Sequence, residues 1–197
     1  MTKLLLVIFG LVIGVSGVGF LFGIMNKEDL PTTSSLPVST ASTEAALDST
    51  ISNWNKCQNS AQSYLIYYPL DWTTTLSGDE ACNQFSPTPD TGVSVKINTT
   101  LKSTDYLSLK TSLETSDETK LLLNKKTLEV SGEQALQIET EATGIGTDAK
   151  GTRAIYYFIE RTSQPVVVSY TETEVPEERE NYLGVLELMV SNLSLAN

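Results

Sequence analysis

The stretch Leu121–Glu141, LLLNKKTLEVSGEQALQIETE, decides the fold. It divides at Ser131-Gly132, a pair that turns a chain readily because glycine accepts positive φ. Before the turn, Leu121–Val130 reads as one strand; after it, Gln134–Glu141 sets Leu136 and Ile138 against Gln137 and Glu139. A period of two sends one set of side chains to a core and the other to water, so the stretch predicts two antiparallel strands joined by a tight turn.

Toward the C-terminus, Gly144–Gly151 (GIGTDAKG) reads as a flexible loop, lacking the strand-to-helix context and the Lys-Ser/Thr of a phosphate loop. Arg153–Arg161 and Pro165–Thr171, rich in Tyr, Ile and Val, predict two more strands joined through Thr162-Ser163-Gln164. The chain closes on a helix. Pro176 is expected in its first turn beside Glu177, Glu178 and Glu180, where acids oppose the helix dipole, and Tyr182, Leu186, Met189 and Leu193 form the stripe that covers a sheet.

Toward the N-terminus, Thr104–Leu113 has helical spacing, with Tyr106, Leu109 and Leu113 on one side and Ser103 or Thr104 as the cap. Val93–Asn98 alternates, placing Val93, Val95 and Ile97 on one face. Tyr64–Tyr68 is a strand stopped by Pro69, and Pro69–Trp72 is a turn with Trp72 as a core anchor. Leu47, Ile51 and Trp54 fall on one face of a helix that would open the domain. The expected class is α+β, a single antiparallel sheet flanked by helices.

The string Tyr68-Pro69-Leu70-Asp71-Trp72, then Phe85-Ser86-Pro87 and the Val93 strand, resembles the start of a PsbP-like (Mog1/PsbP) domain of the membrane-anchored bacterial type. The helix with Tyr106-Leu107, the strands around Ser131-Gly132, the Tyr-rich hairpin and the closing helix with Leu186 and Met189 are similar to the same family, over roughly Tyr64 to Leu193. The resemblance implies an α/β/α sandwich and a binding or accessory role, with no shared catalytic residues to carry over.

Ahead of the domain, positions 4–25 (LLLVIFGLVIGVSGVGFLFGIM) hold no charged side chain. At about 1.5 Å per helical residue the run spans roughly 33 Å, the thickness of a hydrocarbon core. It predicts an uncleaved transmembrane helix; a cleaved secretory signal is the alternative. Lys3 on the short side favours residues 1–3 as a cytoplasmic tail and the large domain outside. Residues 26–50, rich in Ser, Thr and Pro, read as a linker, leaving 51–197 as one extracytoplasmic domain.

The only cysteines, Cys57 and Cys82, both lie beyond the run, where an even pair forms a disulfide or remains as two structural thiols. With no histidine, the pair supplies too few ligands for zinc, and Ser-His-Asp and Cys-His catalysis are excluded. The 13 basic and 24 acidic residues give a net charge of -11, which disfavours nucleic acid as a partner. No cofactor or metal site is expected. Carboxylate-pair catalysis could draw on Asp71, Asp79, Glu80, Glu172 and Glu174. Tyr64, Tyr67, Tyr68, Tyr156, Tyr157 and Tyr170 serve packing or an aromatic groove. The leading expectation is a membrane-tethered, non-catalytic domain, a single-pass envelope accessory that binds an envelope protein or small ligand; the alternative is an envelope hydrolase.

Overall fold

The computed structural model describes residues 51–75, 78 and 80–196. The apolar run 4–25, the linker 26–50, Leu47 and Asp79 lie outside the described residues. Among those described, no helix is long and apolar enough to cross a membrane.

Among the described residues, ten strands and two helices follow in the order β1 (Asn55–Asn59), β2 (Tyr64–Tyr68), β3 (Trp72–Thr74), β4 (Gln84–Pro87), β5 (Val93–Asn98), α1 (Ser103–Leu113), β6 (Lys120–Val130), β7 (Glu133–Ala142), β8 (Arg153–Ile159), β9 (Val166–Glu172), α2 (Arg179–Ser191) and β10 (Ser194–Leu195). They form a seven-stranded sheet of order β3-β4-β5-β9-β8-β7-β6 and a three-stranded one of order β1-β2-β10. Every strand pairing is antiparallel. The decisive stretch forms the β6–β7 hairpin, Val130 opposite Glu133, across Ser131 and Gly132 at φ 55° and 81°. Two successive positive φ values match the right-handed twist of the strands. After β5 the chain carries α1 to the far edge, then returns by β6, β7 and β8 until β9 lies between β8 and β5.

The alternation in the strands puts an apolar layer on each face of the large sheet. On one face Val93, Val95, Ile155, Tyr157, Val168 and Tyr170 pack with Tyr64 and Ile66 of β2 and Leu186 and Met189 of α2. On the other, Tyr106 and Leu113 of α1 cover Ile138, Phe158 and Val167, with the Tyr106 and Phe158 rings edge-on at 5.4 Å. Each large apolar side chain so buried contributes about 1.5–3 kcal/mol. Trp72 is buried as the anchor of its turn, its amide donating to the Pro69 carbonyl at 3.2 Å.

The Cys57–Cys82 disulfide is present, with Cα atoms 5.8 Å apart. It ties β1 of the small sheet to the segment before β4 of the large one. Beside it the Asn59 amide donates to the Ala81 carbonyl at 2.8 Å, and the Tyr64 hydroxyl to Asn83 Oδ1 at 2.6 Å. Burial raises the Tyr64 phenol to about 12.

Three expectations are corrected. The strands divide into two sheets, because both edges of β2 are taken by β1 and β10 and the turn after Pro69 sends the chain into the other sheet. Neither Ser103 nor Thr104 caps α1: Lys102 holds the cap position, in extended backbone and without a side-chain hydrogen bond. The last helix begins at Arg179, with Glu180 the one acid in its first turn. Pro176 and Glu177 lie before it, in the crossing from the end of β9 to the helix layer.

Candidate functional site

One end of the large sheet gathers the start of β6, the end of β7, the start of β8, the end of β9 and the start of β5. The register places Lys120 opposite Ala142, Glu141 opposite Arg153, and Val93 opposite Glu172. On β9, Val166, Val168 and Tyr170 face the α2 layer, and Glu172 continues that parity. A carboxylate on a buried parity requires partners.

Glu172 has them in full, with its side chain 0% exposed. Arg179 grips it bidentately, Nε to Oε1 at 2.8 Å and Nη2 to Oε2 at 2.5 Å. The Tyr170 hydroxyl donates to Oε1 at 2.8 Å and the Arg153 amide to Oε2 at 2.9 Å. Arg179 Nη2 also donates to the Gly151 carbonyl at 2.7 Å, which ties the β7–β8 loop to the helix. Burial, then the bond to Glu172, drives the Tyr170 phenol well up, while that carboxylate raises the Arg179 guanidinium. Next to this latch, Arg153 reaches Glu139 at 3.2 Å and Glu141 at 3.9 Å.

Three connections converge over the latch. The Thr143 amide donates to the Thr119 carbonyl at 2.9 Å and its hydroxyl to the Glu118 carbonyl at 2.6 Å, joining the β7–β8 loop to the α1–β6 connection. A Cβ placed on Gly151 would sit 3.6 Å from Val175, in the β9–α2 crossing. These segments expose Ile145 and Val175 at 57% and 53%, and the neighbouring start of β6 exposes Leu121 and Leu123. A cleft of about 200 Å³ lies beside them, lined by Leu113, Thr140, Asp148 and Tyr156. Burial, with Asp148 nearby, raises the Tyr156 phenol. A groove of about 450 Å³ runs along Glu174, Val175, Glu177, Glu178 and Tyr182.

Among the described residues, the candidate acids fall on different parts of the surface. Glu172 borders the first cleft and Glu174 the second groove; Asp71 lies in the turn before β3, its carbonyl accepting the Thr88 amide, and Glu80 in the turn before β4. Among the described residues there is no group of three or more His, Cys, Asp or Glu able to hold a metal ion. Tyr64, Tyr68, Tyr157 and Tyr170 are core residues; Tyr67 and Tyr156 are half-buried, the latter stacked on Phe158 at 6.1 Å. The Gly144–Gly151 segment is a loop, part of the convergent surface. The Glu172–Arg179 pair escaped the sequence reading, although one signal was there: Glu172 extends the inward parity of an otherwise apolar strand.

No protein-family model matches the chain, and no curated protein matches it. Among solved structures it is similar to the cyanobacterial PsbP (CyanoP) of Synechocystis sp. PCC 6803, with 14% identity over 83% of this chain and 98% of that one, at a TM-score of 0.47. It is also similar to the Saccharomyces cerevisiae Ran-binding protein Mog1p, with 12% identity over 73% of this chain and 95% of that one, at a TM-score of 0.44.

Proposed function

We propose that this chain is a non-catalytic binding or assembly accessory domain, displayed outside a membrane and tethered to it by residues 4–25 through the linker 26–50. The observation that carries the binding reading is the strand end itself: a floor fixed by the Glu172–Arg179 latch under three connections that present Ile145 and Val175 to solvent. Exposed apolar side chains on a rigid base suit a protein partner. Acid catalysis needs a carboxyl group that can exchange a proton with a substrate, and Glu172 is engaged in four hydrogen bonds instead. The charge-free run at 4–25 supports the tether, and the disulfide supports an oxidising compartment.

Full-length protein cross-linked in its native membranes tests the surface. Ile145→Asp with Val175→Asp should abolish the cross-linked product while leaving the unfolding free energy within about 0.5 kcal/mol of the parent, the range of surface substitutions. An unchanged product would move the partner elsewhere. A mature N-terminus beginning near Asn26 would overturn the tether.

A further inference from the structure

At the opposite end of the large sheet, a cavity of about 320 Å³ is lined, among the described residues, by Gln62, Ser63, Thr99, Thr100, Arg161, Ser163 and Gln164, and by no carboxylate. We propose that it is an anion-binding site for a ligand bearing a phosphate or similar oxyanion, with Arg161 as the recognising group.

The chain has three arginines, Arg153, Arg161 and Arg179. Arg153 faces Glu139 and Glu141, and Arg179 faces Glu172. Arg161 has no carboxylate within ion-pair distance among the described residues, although the chain carries 24 acids against 13 bases. Its Nη2 donates to the Ala196 carbonyl, a neutral acceptor, and its Nε is buried with no hydrogen-bond partner. A guanidinium carries five N–H donors in a planar fork that suits oxyanions, and a neutral carbonyl leaves its positive charge uncompensated.

The surrounding groups fit the same ligand. The Ser163 hydroxyl and the Gln164 amide can donate to phosphate oxygens without adding charge, while Thr99 and Thr100, whose hydroxyls donate to Gln62 and to Asn98 Oδ1, shape the polar wall. The rim is built by the β1–β2 turn, the end of β5 and the β8–β9 connection, and the Ala196 amide, donating to the Ser63 carbonyl at 2.9 Å, holds the first of these. The volume falls at the lower end of small-ligand sites. Because the net charge is -11, diffuse attraction for anions is absent, and any binding must come from local contacts.

The test uses the full chain in detergent, by equilibrium dialysis against labelled inorganic phosphate and separately glycerol 3-phosphate, at fixed ionic strength with chloride as the reference. Saturable binding is expected, weakened at least tenfold by Arg161→Gln and partly restored in Arg161→Lys. Ser163→Asp, on an exposed connection, leaves the arginine in place but sets a charge against the ligand, and should also remove binding. Tighter binding of inorganic phosphate points to a free oxyanion, and tighter binding of glycerol 3-phosphate to a phospholipid headgroup; either supports the site. Failure of both probes to bind above the chloride reference overturns it, as does a folded Ser163→Asp protein that binds like the parent.

Discussion

Glu172 lies on the inward row of β9, between Tyr170 and the guanidinium of Arg179, with no exposed side-chain surface. Removing one partner of such a pair strands the other charge, so Arg179→Met should destabilise the domain by about 3–5 kcal/mol, measured by urea unfolding. Removing both charges, with Glu172→Leu beside Arg179→Met, should recover most of that loss. A second residue-scale prediction concerns pH. Burial raises Tyr64, Tyr106 and Tyr157 to about 12 from a model-compound value of 10.0, Tyr106 and Tyr157 with help from nearby glutamates. The unfolded chain sheds these protons near pH 10.0 while the folded chain holds them, so the stability they contribute is complete below that pH and is lost as pH rises toward 12. Melting temperature should therefore fall through this window, and phenolate absorbance from these rings should appear together with unfolding. A melting temperature flat across the window would contradict the assignment.

At the scale of elements, the disulfide joins two sheets that share little else by way of backbone bonding. Replacing Cys57 and Cys82 by serine should cost roughly 3–4 kcal/mol by the loop-entropy argument, seen as a lower urea midpoint that reducing agent does not lower further. Much of the element order was legible because its signals are local. Val93–Asn98 alternates without a fault, Ser131-Gly132 occupies the turn, and Leu186 and Met189 fall on the buried stripe. What stayed hidden depends on distant partners. β1 is NKCQN, polar by composition, and is a strand because β2 pairs with it and Cys57 and Asn59 turn inward. β10 is two residues long, and β3 and β4 are short, so none carries a period that a sequence could display. The latch is equally hidden, since Glu172 and Arg179 are brought together by the path of the β9–α2 crossing, whose Pro176 and run of acids resemble a helix start. The anion cavity gave no linear signal either, its residues coming from three separate turns.

For the whole molecule, the sheet has its centre between segments far apart in sequence: β5 pairs with β9 over six residue pairs, from Val93–Glu172 to Asn98–Val167. Deleting residues 165–197 should therefore leave no cooperatively folded domain by circular dichroism melting, although eight of the ten strands remain. Deleting only residues 194–197 removes the two pairings of β10 with β2, and should lower the melting temperature while preserving a single cooperative transition. The two outcomes separate a structural keystone from a trim. The placement of β9 also bears on how the domain is made. If the chain passes through a membrane from its N-terminus, β5 emerges early with an open edge, and β6, β7 and β8 can meander together while it waits. The gap between the two halves closes only when Val166–Glu172 arrives and inserts with both edges bonded at once. On that route the unfinished molecule would be a cleft sheet with two sticky margins, and protection of those margins would be a task for whatever receives the chain on the far side.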